Sequence, residues 1–287
     1  MGLLLAVALM LPAGCGGGSD PADSPAAPPT TPAPPADPVP AGPAGDPDPS
    51  NDLGPIELPE VAAAPAEPLT GELADHFRLI REGHPDWARV RLRKYLNVNP
   101  GDGRAHFLFG LTYHREKRYE LARESFDEAI RLAPDYYATH YFLGWAQYYL
   151  GEPEAARDAF LRHLDYQPRE GDSHFALGLI ALDADELKEA ERRFRTAIML
   201  SAETEGRTKE LSKSRARLSD VLVRTDRLEE ARRELELAVE LHPEYDEAHY
   251  KLYRVCTRLG DEAAALEAKK TYEQIRERTQ PGTSFPE

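Results

Sequence analysis

Hydrophobic and polar positions divide the chain into three stretches with different patterns. Residues 1–11 form an apolar run without a charged side chain. Residues 16–68 hold few large apolar side chains among many prolines, so neither a helical nor a strand period builds up there. From residue 69 onward, apolar and small residues return in one fixed frame of 34 residues. This pattern predicts a folded body of repeated units that follows a proline-rich tail.

Two ladders of residues carry the period. Pro100, Pro134 and Pro168 are 34 residues apart, and Pro243 follows 75 residues later. The alanines step by 34 residues with one step of 41, and they are Ala88, Ala122, Ala156, Ala190, Ala231 and Ala265. A unit of this length, with the pattern W-x2-L-G-x2-Y, A-x3-F and P, resembles the tetratricopeptide repeat (TPR). The copy at 103–136 fits best, through Phe109-Gly110, Tyr113, Ala122, Phe126, Ala129 and Pro134.

The resemblance implies an all-α fold, a right-handed superhelical solenoid of about six helix–turn–helix repeats. One hairpin cannot bury its apolar stripe alone, so neighbouring hairpins must stack. The predicted boundaries are 69–102, 103–136, 137–170, 171–204, 212–245 and 246–279, with an insert at 205–211 and a frayed tail at 280–287. Small residues would let helices approach closely at Gly110, Gly144 and Gly178. Large residues would fill the gap to the following copy at Phe126, Phe160, Phe194 and Leu235.

The first fifteen residues resemble a bacterial lipoprotein signal. Eleven apolar residues are too few for a bilayer core that needs about 20, and Ala13-Gly14 before Cys15 suit a signal-peptide cleavage site. The resemblance implies a signal peptide at 1–14, lipidation of Cys15 and an envelope lipoprotein on the periplasmic or outer-membrane side. Because Pro12 and the absence of basic residues before the apolar run depart from the pattern, an uncleaved N-terminus with a stray cysteine stays open.

Charge is distributed unevenly between the tail and the body. The formal net charge is −15, from 50 acidic and 35 basic side chains. Since no Lys or Arg precedes Arg78, residues 1–77 carry −11 and the remainder carries −4. Sixteen prolines lie between residues 21 and 68, which predicts a lipid-anchored, disordered linker over 15–68. The acidic balance disfavours a nucleic-acid partner, and two cysteines disfavour a disulfide scaffold.

Candidate chemistry adds little to this picture. Four histidines share one register, His106, His140, His174 and His249. Equivalent positions of stacked helices lie roughly 8–10 Å apart, too far for metal bonds of about 2.0–2.1 Å, so we predict packing positions and no metal. The sequence contains no motif of a known catalytic family, and Cys256 is expected to be a core thiol. We therefore predict a protein that is not an enzyme, without cofactors or a small-molecule substrate.

In TPR proteins the first helix of each hairpin lines a concave groove, and the resemblance assigns two sets of candidates there. The peptide-binding set is Phe107, Leu111, Tyr141, Trp145, Tyr148, Phe175 and Leu179. Several of these residues could equally belong to the core between helices. The basic set is Lys213, Arg217, Arg224, Lys251, Arg254 and Arg258. It could hold an acidic segment of a partner or this chain's own Asp-rich tail, or form a solvated face that is balanced by Glu229, Glu230 and Glu234.

The function predicted from these features is a scaffold or adaptor of the cell envelope. Its partner would be an unidentified protein or peptide in the groove, and its membrane contact would be the lipid anchor. A regulatory or targeting subunit of an envelope enzyme, or of secretion, pilus or cell-wall machinery, is one alternative. A cytoplasmic co-chaperone is another, although the carboxylate clamp of chaperone-tail binders needs Lys and Asn where Tyr141 and Trp145 stand.

Overall fold

The computed structural model of the 287-residue chain describes residues 69–279, which contain twelve α-helices and no strand. The signal peptide, Cys15, the linker and the tail at 280–287 lie outside the described residues. The helices are α1 (Gly71–Arg81), α2 (Pro85–Val98), α3 (Gly103–Arg115), α4 (Tyr119–Leu132), α5 (Ala138–Tyr149), α6 (Pro153–Tyr166), α7 (Gly171–Asp183), α8 (Leu187–Ala202), α9 (Thr208–Arg224), α10 (Leu228–Leu241), α11 (Asp246–Leu259) and α12 (Glu262–Thr279).

The helices form two layers. Each helix packs against the next one in the chain, and each odd-numbered helix also contacts the following odd-numbered helix. Among the residues that the structure describes, the even-numbered helices have no comparable contacts with one another. The odd-numbered helices are therefore the inner layer of a stack of hairpins. The prediction of an all-α solenoid of about six TPR hairpins is confirmed.

A glycine and a phenylalanine close the hairpins of the central repeats. A Cβ atom on Gly110 would lie 2.5 Å from Cε1 of Phe126, and one on Gly178 would lie 2.6 Å from Cε1 of Phe194. The phenylalanines are fully buried. They therefore fill their own hairpin as well as the gap to the next one, where Phe126 meets Phe142 with ring centroids 6.2 Å apart. Since no side chain fits beneath the ring, glycine is required at these positions.

The histidine ladder closes the connections between hairpins. Nε2 of His106, His174 and His249 lies 2.9–3.0 Å from the carbonyl oxygen of the proline six residues earlier. Because a carbonyl only accepts, the imidazole N–H must donate, which fixes the proton on Nε2. In His174 the other nitrogen lies 3.2 Å from Nη1 of Arg193, a geometry that suits this tautomer. The shared register of these histidines thus reflects a repeated hydrogen bond between a first helix and the turn before it.

The insert lengthens two helices and the turn between them. α8 and α9 have 16 and 17 residues, whereas α4, α6 and α10 have 14. Arg207, in the turn before α9, forms ion pairs with Asp172 and Glu170 at the start of α7. In the last hairpin, Tyr272 and Ile275 are buried on α12. Cys256, on α11 of the same hairpin, is fully buried, as predicted.

Candidate peptide-binding surface

Aromatic side chains are concentrated on α5, in the middle of the inner layer. Tyr141, Trp145, Tyr148 and Tyr149 are only partly buried, and Tyr149 is 44% exposed. Phe142 of the same helix is turned into the core. Because Trp145 and Tyr149 are four residues apart, they share one face of the helix.

Three rings form a continuous stack at the end of α5. Trp145 and Tyr149 are nearly parallel, with ring centroids 5.8 Å apart and an interplanar angle of 26°. Tyr119, from the start of α4, stacks on the other side of Tyr149 at 4.6 Å and 20°. We call Tyr119, Trp145 and Tyr149 the aromatic stack. Tyr148 and Phe160 hold the indole edge-on, at 5.7 and 5.4 Å, so its orientation is fixed before any ligand arrives.

A carboxylate and an uncharged imidazole lie near the aromatic stack. The hydroxyl of Tyr148 donates to Oδ2 of Asp183 at 2.7 Å, which ties α5 to α7. Burial raises the pKa of Tyr119 to about 12, so this phenol stays protonated. Nε2 of His114 is buried without a hydrogen-bond partner among residues 69–279, and burial lowers the pKa of His114 to about 4. The surface beside His114 therefore gains no charge from this imidazole at neutral pH.

The profile of the tetratricopeptide repeat matches residues 78–137, 141–203 and 217–277, which is more than half of the chain. The chain belongs to the tetratricopeptide repeat family. Comparison with curated protein sequences gives no match. No TPR helix between residues 69 and 279 is long and apolar enough to cross a membrane. No three His, Cys, Asp or Glu side chains in that range gather as metal ligands would.

Solved structures with a similar fold come from several systems. The APC/C hetero-tetramer Cut9-Hcn1 has a TM-score of 0.63 at 18% identity, over 74% of this chain and 40% of that chain. PilW, a type IV pilus biogenesis factor, has a TM-score of 0.62 at 17% identity, over 74% and 94%. PilF of Pseudomonas aeruginosa has a TM-score of 0.61 at 19% identity, over 74% and 91%. The chain thus spans less than half of the Cut9-Hcn1 chain but most of the two Pil proteins, and these likenesses show the fold.

The first candidate set divides into buried and accessible residues. Phe107 and Leu111 are 2% and 4% exposed, so their assignment to the groove was wrong. Phe107 packs into the core, with ring centroids 5.1 Å from Tyr136 and 5.6 Å from Phe142. Two further candidates on α7 are partly buried against the core that continues into α8–α11, and they are Phe175 and Leu179. What remains accessible of the set lies mainly on α5.

The basic candidate set is largely neutralised within the protein. Nη1 of Arg217 lies 3.5 Å from Asp220 and 3.2 Å from Glu247. Nζ of Lys251 lies 2.7 Å from both of these carboxylates. We call these four residues the ion-pair network. Two cations and two anions cancel, so the network offers no net positive charge to an acidic partner.

Three other members of the basic set have partners as well. Arg224 donates to the carbonyl oxygen of Leu182 at 2.9 Å and lies 3.3 Å from Asp185. Arg258 lies 3.0 Å from Asp226, and Arg254 lies over the ring of Tyr250. Lys213 is exposed and has no ion pair among residues 69–279. Of the acids considered as balancing charges, Glu230 pairs with Arg227 and Glu234 with Arg215, neither of which belongs to the basic set.

Sequence reasoning missed two residues of this surface, Tyr119 and Tyr149. Tyr149 was detectable, because it follows Trp145 by one helical turn. Tyr119 was not, because it begins the second helix of the preceding hairpin, and only the stacking of hairpins brings its ring onto Tyr149.

Proposed function

We propose that this TPR protein is a scaffold of the bacterial cell envelope that holds a peptide or partner protein against the α5 face of its inner layer. The observation that carries the proposal is the aromatic stack, three rings held against one another on a partly exposed surface. Tryptophan and tyrosine dominate the binding energy of protein interfaces, because they bury a large area for a small loss of conformational freedom.

The packing of the indole supports this role. Trp145 contacts Tyr148, Tyr149 and Phe160, so the ring is held in place by its neighbours. A ligand that packs on such a ring does not have to order it, which lowers the cost of association. The inner layer thus presents a preorganised surface that a TPR partner could cover.

The envelope location rests on two supports. The fold of the body resembles PilF and PilW, and the latter is a type IV pilus biogenesis factor. The first fifteen residues resemble a lipoprotein signal that ends at Cys15. In our proposal Cys15 carries the lipid, residues 15–68 link it to the repeats, and the repeats bind the partner.

A crosslinking pull-down from the native organism tests the binding surface. We expect Trp145→Ala to lower partner recovery at least about fivefold, since central aromatic residues are interface hot spots. Trp87→Ala is the matched control, because Trp87 is 58% exposed on α2 of the outer layer. Equal recovery from both variants would contradict the assignment. Thermal unfolding of Trp145→Ala, and the pull-down repeated with the more exposed Tyr149→Ala, separate lost contacts from lost folding.

Fractionation of the same cells tests the anchor. We expect Cys15→Ser to move the protein from the membrane fraction to the soluble fraction, because the acyl chains supply the membrane affinity. Membrane association that is unchanged in Cys15→Ser would refute lipid anchoring and leave the α5 surface untouched as a proposal.

A further inference from the structure

Arginines recur at the ends of the inner helices. α1, α3 and α9 end at Arg81, Arg115 and Arg224, and α11 has Arg258 as its penultimate residue. A cation is favoured at the C-terminal end of a helix by the macrodipole, which accounts for the recurrence. What differs among these arginines is the group that faces the guanidinium.

Two of the arginines are paired by the turn of the preceding hairpin. Arg258 lies 3.0 Å from Asp226, which precedes it by 32 residues, and Arg224 lies 3.3 Å from Asp185. Both aspartates adopt positive φ values, 57° and 58°. The second residue after the end of an inner helix therefore places a carboxylate beside the arginine near the end of the next inner helix.

Arg115 lacks this carboxylate. The residue that precedes it by 32 positions is Gly83, which also has a positive φ, 87°. The adjacent Glu116 lies 2.7 Å from Arg89 instead. Arg115 is partly buried and makes no hydrogen bond or ion pair with residues 69–279, and burial lowers its pKa. A partly desolvated cation without a counter-charge gains more from an added carboxylate than an exposed one does.

The unpaired arginine ends the inner helix that neighbours α5, which carries Trp145 and Tyr149. Arg115 ends α3 and Tyr149 ends α5, 34 residues later, and these two helices are neighbours in the inner layer. His114, the residue before Arg115, has its ring centroid 5.5 Å from that of Tyr119 and 6.5 Å from that of Tyr149. The neighbouring C-terminal ends of α3 and α5 thus hold a cation without a carboxylate partner among residues 69–279 and partly exposed rings.

We infer that Arg115 and the aromatic stack bind an extended, proline-containing segment that carries Asp or Glu, an inference that rests on the proposed function and specifies its ligand. The carboxylate takes on Arg115 the place that Asp226 holds on Arg258, where two N–H groups can be donated at once. A neighbouring proline ring packs against the exposed edge of Tyr149, because Trp145 and Tyr119 cover the two faces of this ring. Proline-rich segments suit aromatic surfaces, because their polyproline II conformation is already ordered before binding.

Fluorescence anisotropy with three labelled peptides tests each part of the inference. The peptides are acetyl-(Ala-Pro-Asp-Pro)3-amide, the same sequence with Asn for Asp, and the same sequence with Gly for the prolines. Binding to the full chain is measured at physiological salt. We expect the Asp–Pro peptide to bind about tenfold more tightly than the Asn peptide, from the charge-assisted contact. We expect it to bind at least about fivefold more tightly than the Gly peptide, from preorganisation and ring packing.

Substitution of Gly83 makes the decisive variant, because it removes no atom from the binding surface. Gly83→Asp places the missing carboxylate opposite Arg115, so the tenfold preference for the Asp peptide should fall to less than about twofold. Gly83→Asn is the matched control and should keep the preference, since both residues tolerate positive φ. Arg115→Gln should abolish the preference, whereas Arg258→Gln should leave it intact.

Two results would overturn the inference. One is equal affinity of the wild-type chain for the Asp and Asn peptides, including no binding of either. The other is a preference that survives in Gly83→Asp. If these results occur while Trp145→Ala still loses its cellular partner, the scaffold function stands and only this ligand assignment fails. If the peptides behave as expected but Trp145→Ala keeps its partner, the peptide site stands and the proposed scaffold contact fails.

Discussion

Two regions of the inner layer differ in whether their cationic side chains are paired with carboxylates of the protein. In the ion-pair network of α9 and α11, each cation has two carboxylates within 3.5 Å. At the end of α3, Arg115 has none among residues 69–279, and the rings of Tyr119 and Tyr149 lie near the adjacent His114. A basic sequence therefore does not make a basic surface. A surface is available for a ligand where the protein's own partners are missing.

This difference sets the cost of binding in each region. An acidic ligand at the ion-pair network would have to displace Asp220 and Glu247, whose side chains are 26% and 23% exposed. A ligand at the aromatic stack displaces only water from the rings and from one guanidinium. Hydrophobic area and a new charge-assisted contact then both favour binding.

The largest expected effect comes from breaking the ion-pair network. Asp220→Asn with Glu247→Gln removes the two carboxylates that pair with Arg217 and Lys251, and we expect the free energy of unfolding to fall by about 3 kcal/mol. The same variant should gain affinity for the Asp–Pro peptide, because two carboxylates no longer compete with the peptide for these cations. Urea unfolding and anisotropy measure the two effects. A loss of stability without any gain in peptide affinity would show that aromatic rings are needed as well as cations.

The two regions contain groups that titrate at different pH values, so the pH dependence of the unfolding free energy distinguishes them. His114 has a pKa lowered to about 4 by burial, so the unfolded chain binds its proton first as the pH falls below about 6.5. The stabilisation from the neutral ring is complete above that pH and is lost between about 6.5 and 4. We expect His114→Phe to remove about 2 kcal/mol of the stability loss between pH 7 and pH 5. An unchanged pH profile by urea unfolding would contradict the assignment.

The ion-pair network responds at lower pH. Burial opposes ionisation of Glu247, but Lys251 and Arg217 outweigh it and hold the pKa of this carboxyl below its ordinary value of 4.5. For a depressed carboxyl pKa, stability is complete above the unfolded-state value and is lost as the pH falls through the folded-state value. Glu247→Gln should therefore lower the free energy of unfolding by a constant amount above about pH 4.5, and the difference from the wild type should shrink as the pH falls below that value, in contrast to His114→Phe.

The sequence predicted the fold because the repeat imposes the same packing requirement several times. The spacing of the alanines and prolines resembles that of the tetratricopeptide repeat, and this resemblance implies stacked helical hairpins. The binding surface was harder to predict, because it depends on which charges find partners across hairpins. Arg217 and Arg115 look alike in the sequence. Only the fold shows that Arg217 lies 3.2 Å from Glu247. For Arg115, the turn position that supplies a carboxylate to other arginines is occupied by Gly83.

The smallest expected effect compares how the second and the fifth hairpin are packed. In the hairpin α3–α4 the pair is Gly110 and Phe126, whereas in α9–α10 it is Ser219 and Leu235, which are also buried. A larger residue on the first helix thus accompanies a smaller one on the second. We expect Gly110→Ala to cost about 1–2 kcal/mol, because overpacking exceeds the gain in helix propensity.

The double variant Gly110→Ala with Phe126→Leu is the sharper experiment. It reproduces the pairing in α9–α10, where a small residue on the first helix packs against a leucine on the second. Leucine removes the ring atom that would lie 2.5 Å from the new Cβ, so the two substitutions should be coupled. The double variant should then be more stable than the sum of the single effects predicts, by about 1 kcal/mol in a urea double-mutant cycle. If the two changes in unfolding free energy are additive, Gly110 is required by the backbone conformation and not by contact with the Phe126 ring.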